Sequence, residues 1–120
     1  SLALDAAFKK LSSGVEIYTE KYGQGKSLQE GDQVKVHYEG WLAKDYQLFD
    51  SSRQKKKAYE FTLGKGEVIQ GWDQALGGVK IGSKIQLKIP AKLAYGATGV
   101  ASLGIPPYAD LIFKVEILRK

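Results

Sequence analysis

The chain has 120 residues, 43% of them hydrophobic and 26% charged, a mixture typical of one folded domain and not of a disordered chain. Cysteine is absent, which excludes disulfides, thiolate nucleophiles and cysteine-ligated zinc. The net charge of +5 permits a general attraction to anionic partners, and no apolar run approaches the ~20 residues that a membrane-spanning helix needs.

The N-terminal residues are predicted to form a short amphipathic helix over residues 3–12. Four apolar residues recur there at helical spacing: Leu4, Ala7, Phe8 and Leu11. Gly14 follows, and glycine commonly stands just past the end of a helix. Because the chain begins at Ser1 and contains no methionine, we expect a processed form or a piece of a longer protein. We therefore predict an N-terminal helical extension over residues 1–13 and one domain over residues 14–120.

From Gly14 onward the hydrophobic residues recur with a period of two. Five segments show this alternation: residues 15–20, 34–39, 59–63, 84–89 and 111–117. It indicates antiparallel strands that have one buried and one solvated face. One internal segment, residues 68–79, has apolar residues at helical spacing instead. We predict an α+β domain in which an antiparallel sheet of five to six strands wraps around one short helix.

Most catalytic arrangements are excluded by residue type or spacing. The single histidine, His37, lies within a predicted strand, without the spacing of a catalytic triad or a metal site. We interpret it as a structural residue. Gly64 and Gly66 suggest a phosphate-binding loop only superficially, because the Walker spacing is missing and Glu67 would repel a phosphate.

A run of four cations is the densest charge cluster in the chain: Arg53, Lys55, Lys56 and Lys57. Short runs of this kind usually belong to solvated loops, which is the interpretation we favour. The alternative is a groove that follows a phosphate backbone, and it would need exposed aromatic residues beside the cations. The nearby aromatic residues look committed to other positions, so we do not expect nucleic-acid binding.

Aromatic and branched apolar residues cluster beside three predicted turns. The clusters are residues 49–53, 67–72 and 94–96. Trp72 or Phe113 alone would suit a hydrophobic core as well as a binding pocket. Three such clusters together favour a pocket lined by aromatic side chains.

Five segments are similar to the signature segments of the FKBP family, the macrolide-binding immunophilins. They are residues 36–40 (VHYEG), 49–53 (FDSSR), 67–72 (EVIQGW), 94–99 (AYGATG) and 105–107 (IPP). They occur in the family's order and near its spacing, and the likeness covers residues 14–119. Residues 12–18 (SSGVEIY) also resemble the start of bacterial domains of the macrophage-infectivity-potentiator type. The sequence does not determine a compartment, and the bacterial periplasm or cell envelope is favoured over the cytoplasm.

The resemblance implies a peptidyl-prolyl cis/trans isomerase that rotates X–Pro bonds in an apolar aromatic pocket and assists protein folding, with no metal and no cofactor. Asp50, Tyr95 and Ile69 would be catalytic, through a carboxylate, a hydroxyl and a backbone N–H. The substrate-binding residues would be Tyr38, Phe49, Tyr59, Phe61, Val68, Trp72, Ile105 and Phe113. Trp72 would form the pocket floor.

The partners that the resemblance implies are proline-containing polypeptides and macrolides of the rapamycin or tacrolimus type. We expect neither nucleic-acid binding nor membrane insertion, and we expect a monomer. The alternative function is a non-catalytic binding module or chaperone on the same scaffold. Two roles stay open for Asp50: an electrostatic effect on the substrate amide, or a structural role in which it bonds Tyr38 or a cation such as Arg53.

The sequence departs from the family pattern at three places. The hairpin over residues 40–49 lacks the usual tip glycine and is one residue longer. Tyr59 stands where phenylalanine is common. The loop over residues 100–104, which overhangs the pocket in the family, is also one residue longer, so Leu103 or Gly104 could match its outer branched position. The preference for the residue before proline and the affinity for macrolides therefore stay open.

Overall fold

Seven antiparallel strands and one short helix form the fold in the computed structural model, which describes residue 2 and residues 7–119. The strands are β1 (Lys9–Lys10), β2 (Glu16–Lys21), β3 (Gln33–Leu42), β4 (Leu48–Ser51), β5 (Tyr59–Thr62), β6 (Lys84–Ile89) and β7 (Leu111–Arg119), and the helix is α1 (Gln70–Ala75). Single 3-10 turns cover Ala91–Leu93 and Ala101–Leu103. The predicted α+β class is confirmed, and β1 and β4 add to the five predicted strands. Within the described ranges, no helix has the length and apolar character needed to cross a membrane.

All strands join one sheet in the order β1-β2-β6-β7-β3-β4, and β5 also pairs with β3. β3 is the longest strand; it pairs with β7 along most of its length, with β5 near its start and with β4 near its end. Val34, Val36 and Leu42 are buried on the inner face, which also carries Tyr38, while Lys35, His37 and Trp41 point to the outer face, because successive side chains of a strand point to opposite faces. The position of β3 therefore fixes where side chains from three neighbouring strands meet.

The buried face of the sheet packs against α1. Branched aliphatic side chains of the sheet form most of this core, and α1 adds Trp72 and Ala75. Gly71 permits a close approach, since a Cβ at this position would lie only 2.5 Å from Ile89 Cγ2 on β6. A larger residue would push the helix away from the sheet. The backbone of α1 is thus seated directly on β6.

The helix is shorter than the predicted segment 68–79 because the residues directly before it are extended. Ile69, with φ −58° and ψ 150°, is extended and precedes the first helical turn. Asp73 Oδ1 and Oδ2 accept the backbone N–H groups of Gly64 and Gly66, at 2.8 and 3.0 Å. The turn after β5 is thereby fastened to α1, and the chain enters the helix along a fixed path.

The predicted N-terminal helix is wrong over the residues that the structure describes. β1 lies there instead and pairs with β2 at the sheet edge. Phe8 packs against Tyr18, with ring centroids 5.7 Å apart, and the Lys88 ammonium lies 4.2 Å from the Phe8 centroid. A ten-residue segment is too short to be a stable helix by itself, so pairing with the sheet prevails. Residues 3–6 lie outside the described residues, and the domain boundary after residue 13 stays a prediction.

The two connections of unusual length each contain a residue in the left-handed region. Tyr46 has a φ of +59° in the β3–β4 hairpin, where the sequence lacks a glycine. In the loop over residues 100–104, Gly104 has a φ of +72°. Val100 and Ile105 exchange backbone hydrogen bonds of 2.9 and 3.0 Å, so this loop is closed on itself.

Candidate active site

A cavity of about 420 Å³ opens between the buried face of the sheet and the N-terminal end of α1. Ten residues line it: Tyr38, Phe49, Asp50, Tyr59, Glu67, Val68, Ile69, Trp72, Tyr95 and Phe113. They come from four strands, from α1 and the segment before it, and from the turn that follows Ala91–Leu93. Aromatic rings dominate the lining, so the cavity suits a flat, apolar group.

Trp72 forms the floor of this cavity and is only 4% exposed. Its indole meets the rings of Tyr38 and Phe113 edge to face, with centroids 5.4 Å away in both pairs and interplanar angles of 82° and 84°. Phe61 packs against it from a third direction at 5.6 Å. Such packing fixes the orientation of the indole. The buried Trp72 Nε1–H has no hydrogen-bond partner among the described residues.

Gly40 on β3 makes room for the aromatic wall beside this floor. A Cβ at this position would lie 2.5 Å from Phe49 Cζ and 2.8 Å from Phe113 Cε1. Phe49 and Phe113 pack edge to face above it, with centroids 5.7 Å apart at 89°. Glycine is therefore required here by close approach of two rings, because no side chain fits beneath them.

Asp50 lies at the cavity wall and is held by three donors. The Tyr38 hydroxyl donates to Oδ2 at 2.5 Å, while Oδ1 accepts the Ser51 N–H at 2.9 Å and lies 3.1 Å from Lys55 Nζ. Burial disfavours the charged carboxylate, but the hydrogen bonds from Tyr38 and Lys55, the Lys55 charge and the Ser51 N–H together lower the pKa of Asp50. Asp50 is therefore a carboxylate at neutral pH.

The hydroxyls of Tyr38 and Tyr95 remain protonated at neutral pH. Burial, followed by the hydrogen bond to Asp50 and its charge, raises the pKa of Tyr38 far above its ordinary value. Burial, followed by the charge of Asp50 and the effect of Tyr59, also raises the pKa of Tyr95. Both phenols are thus hydrogen-bond donors at neutral pH.

Two donors at the cavity rim make no hydrogen bond within the described part of the chain. One is the backbone N–H of Ile69, whose carbonyl accepts the N–H groups of Trp72 and Asp73. The other is the hydroxyl of Tyr95, a residue that is 36% exposed. A carbonyl group that enters the cavity could accept either donor, so the rim has unused capacity for binding a peptide.

The structure brings the predicted site residues together with two exceptions, Phe61 and Ile105. Phe61 lies one layer behind the lining, stacked on Tyr59 with centroids 5.8 Å apart. Ile105 is buried and lines a separate groove beside the β3–β4 hairpin. Glu67 lines the cavity and was not predicted to do so, although its place directly before Val68 in the segment 67–72 was the available signal.

The loop over residues 100–104 contributes no residue to the lining of this cavity. Ala101 and Gly104 line the same separate groove as Ile105. Neither Leu103 nor Gly104 is among the residues that line the cavity.

His37 lies on the outer face of the sheet and has a structural contact. Its Nδ1 is 2.8 Å from Ser52 Oγ, which also accepts the Tyr38 N–H at 2.8 Å. Ser52 is 0% exposed, so it cannot reach a substrate as a nucleophile. On the same outer face, Arg53 pairs with Glu116, so the cation beside Asp50 is Lys55 and not Arg53. Across residue 2 and residues 7–119, no group of three or more metal-ligating side chains is placed to hold an ion.

Comparisons with known proteins point to one family. The sequence model of the FKBP-type peptidyl-prolyl cis-trans isomerases matches residues 24–118. The chain is 44% identical over 106 residues to an FK506-binding protein of Neisseria meningitidis serogroup B, with 88% of this chain and 95% of that protein covered. It is 50% identical over 88 residues to the peptidyl-prolyl cis-trans isomerase FPR2 of Saccharomyces cerevisiae, with coverages of 73% and 64%.

The fold is also similar to that of a solved structure. The crystal structure of AtFKBP13 superposes with a TM-score of 0.89 at 35% sequence identity, and the match covers 96% of this chain and 99% of that chain. Both the sequence match and the structural match extend over the strands and the helix that line the cavity.

Proposed function

Because the chain belongs to the family of FKBP-type peptidyl-prolyl cis-trans isomerases, we propose that the aromatic cavity above Trp72 is where it rotates X–Pro bonds. Isomerase activity follows from the family and from named relatives at 50% and 51% identity. One observation carries the assignment to this cavity: a fixed indole floor lies below two unused donors, the Ile69 N–H and the Tyr95 hydroxyl.

The reaction needs no bond to be made or broken. An X–Pro amide rotates slowly because rotation removes the resonance between its nitrogen and its carbonyl. In the planar amide the carbonyl oxygen carries partial negative charge, and the twisted transition state is less dipolar. A water-poor aromatic cavity therefore disfavours the planar amide more than the twisted one. A ten-thousandfold acceleration needs about 5–6 kcal/mol, which this difference and two oriented hydrogen bonds can supply.

Some cavity residues hold the proline ring, and others orient the carbonyl groups of the peptide. The proline ring rests on Trp72, beside the rings of Phe49 and Phe113, which contact each other edge to face. The Ile69 N–H and the Tyr95 hydroxyl bind carbonyl oxygens of the peptide, so the ring stays fixed while the chain on one side of the amide turns. Restriction of the substrate to this arrangement lowers the entropic part of the barrier.

Asp50 is a positioning residue in this proposal. Both carboxylate oxygens are bonded by the protein itself, to Tyr38 on one side and to Ser51 and Lys55 on the other. It therefore holds the Tyr38 ring in edge contact with Trp72. Its charge, balanced by Lys55, is a smaller influence on the substrate amide than the ring positions that it fixes.

We further propose that macrolides of the tacrolimus or rapamycin type bind in the same cavity, a proposal supported by the relative that is named for binding FK506. The monomeric state and the absence of nucleic-acid binding and membrane insertion stay predictions, as do the macrophage-infectivity-potentiator subtype and a location in the bacterial cell envelope. No feature of the cavity favours the alternative of a non-catalytic binding module or chaperone.

The decisive measurement is the cis-to-trans conversion of a short Leu-Pro peptide, with and without a tacrolimus-type macrolide. Fast conversion that the macrolide abolishes would support the cavity as the site. Fast conversion that persists at saturating macrolide would contradict this placement. Macrolide binding without conversion would favour the binding-module alternative.

A further inference from the structure

A second groove joins the aromatic cavity along the rings of Tyr38 and Tyr59, which line both. Its volume is about 590 Å³. The two rings separate the groove from the cavity and pack edge to face, with centroids 5.9 Å apart. Five further residues line it: Ser52, Lys55, Lys57, Ala58 and Glu60. We call these five residues the lysine shelf. A chain that leaves the cavity across Tyr59 enters the lysine shelf directly.

The charges of the lysine shelf are balanced except at Lys57. Lys55 is paired with Asp50 at 3.1 Å, and Glu60 is paired with Lys35 at 3.7 Å. Lys57 makes no ion pair with any described residue. An uncompensated ammonium group therefore lies at the shelf.

The loop that carries Lys57 is ordered by its own backbone. The N–H of Lys57 donates to the Ser52 carbonyl at 3.2 Å, and that of Lys56 donates to the Arg53 carbonyl at 3.0 Å. Lys56 has a left-handed φ of +56°, which turns the chain back towards β5. Lys57 therefore starts from a fixed Cα position beside the groove, and only its side chain has to settle on a ligand.

We propose that the lysine shelf is a subsite for an acidic side chain of the polypeptide substrate, and that Lys57 is the residue that selects it. This inference rests on the proposed function of the adjoining cavity. An extended chain advances about 3.3–3.6 Å per residue, so a carboxylate within roughly three residues of the proline reaches the shelf while the proline lies on Trp72. The free ammonium of Lys57 then binds this carboxylate. The enzyme therefore isomerises substrates with an acidic residue near the proline faster than substrates with a neutral residue there.

A nucleic acid is a poorer fit for the same surface. The aromatic rings nearest to the lysines, Tyr38 and Tyr59, pack on each other and on Trp72, so they offer no free platform for stacked bases. A peptide needs only one favourable contact here.

The test compares two peptides that differ at one position. Both contain the same Leu-Pro core, and one has glutamate where the other has glutamine, scanned over the three positions on each side of proline. At low ionic strength we expect kcat/KM of the glutamate peptide to exceed that of the glutamine peptide by about two- to five-fold at one or more positions. The ratio is insensitive to a loss of active protein, because the same enzyme sample acts on both peptides.

Two charge-matched variants decide where the effect arises. In Lys57→Gln we expect the ratio to fall to about one. Lys26→Gln removes the same charge from a residue that lines neither the cavity nor the shelf, and it should keep the wild-type ratio. Equal losses in both variants would show a general attraction by net charge and would overturn the subsite.

Other outcomes separate the subsite from the proposed function. Conversion of both peptides at equal rates at every position would overturn the subsite alone. Conversion of neither would overturn the proposed function and the subsite with it. A third outcome combines equal rates for the two peptides with binding of a short single-stranded RNA at physiological salt. If Lys57→Gln abolished that RNA binding, the ligand of the shelf would be a nucleic acid and not an acidic peptide.

Discussion

The hydroxyl of Tyr38 donates to Asp50 Oδ2 across 2.5 Å, and this bond ties β3 to β4 at the wall of the cavity. The second oxygen of Asp50 accepts the Ser51 N–H and faces Lys55. Both oxygens already have donors from the protein. This arrangement favours a role in which Asp50 positions the wall over one in which it acts on the substrate.

Replacement of Asp50 separates these roles. In Asp50→Asn, the amide can donate to the Tyr38 hydroxyl oxygen while its carbonyl accepts the Ser51 N–H, so the wall keeps its geometry without the charge. We expect kcat/KM for a Leu-Pro peptide to fall less than about three-fold in Asp50→Asn and about ten-fold or more in Asp50→Ala, which loses these contacts. An asparagine variant as impaired as the alanine variant would show that the charge itself is needed.

The pKa shifts at the cavity predict a broad pH plateau. The pKa of Asp50 lies below its ordinary 3.8, so its contribution to stability is complete above about pH 5 and is lost as the pH falls through the folded pKa. The pKa values of Tyr38 and Tyr95 lie above their ordinary 10.0, so their contribution is complete below that value and is lost as the pH rises through the folded pKa. We therefore expect kcat/KM to be level between about pH 5 and pH 9, with the free energy of unfolding in urea falling only outside this range.

Tyr38→Phe is the control for the pH plateau. Without the phenol, one of the hydrogen bonds that lower the pKa of Asp50 is lost, so the acid limb of the unfolding profile should move to higher pH. An acid limb at the wild-type position would contradict the contribution assigned to this bond.

The two tryptophans provide a matched pair of substitutions. Trp72→Phe shortens the cavity floor and removes edge contacts with Tyr38 and Phe113, so we expect kcat/KM to fall by about ten-fold and stability by about 1–3 kcal/mol. Trp41 lies on the outer face of β3, three residues from Tyr38, and Trp41→Phe should change kcat/KM less than two-fold. Peptide kinetics with thermal unfolding of both variants tests this. Equal losses of activity would mean that the floor is not where proline binds.

Tyr46 offers a test of backbone strain. Its φ of +59° is unfavourable for an aromatic residue by about 1–2 kcal/mol, so Tyr46→Gly should stabilise the chain by up to about 1 kcal/mol, despite the entropy that glycine costs. For a chain of this size, that corresponds to a rise in Tm of about 3–6 °C. Tyr22 is also well exposed but is not in the left-handed region, and Tyr22→Gly should lower Tm. A lower Tm for both variants would contradict the assignment of strain to Tyr46.

The sequence predicted the elements that have one buried face. Alternation in β3, β6 and β7 is clean because every second residue, such as Val36, Leu87 or Val115, meets the core. β4 was not predicted because it has only four residues and pairs with β3 across a register shift next to Gly40, which interrupts the period of two. β1 was missed because its two lysines are exposed and its pairing with β2 is a tertiary contact that periodicity does not reveal.

The aromatic clusters beside the turns indicated a pocket, but the role of each site residue was predicted only through the family resemblance. Trp72, Tyr95 and Ile69 have no spacing in the sequence that indicates a common cavity, and the fold alone brings them together. The resemblance did not predict that Phe61 lies behind Tyr59 or that Ile105 lines a separate groove, because both placements depend on tertiary packing. Lys55 pairs with Asp50 where the loop folds back so that the Lys55 N–H donates to the Ser51 carbonyl, a conformation that composition does not predict.

The pairing of β3 with β7 has a consequence for the order of events when the chain is made. Tyr38 and Phe113 face the same cavity, yet Phe113 enters the sheet only with the last strand, about 75 residues later in synthesis. Contacts so distant along the chain form slowly, and they cannot form at all until the C-terminal strand has left the ribosome. A growing chain thus has no complete cavity, and its ability to act on the prolines of other proteins should emerge abruptly when β7 docks.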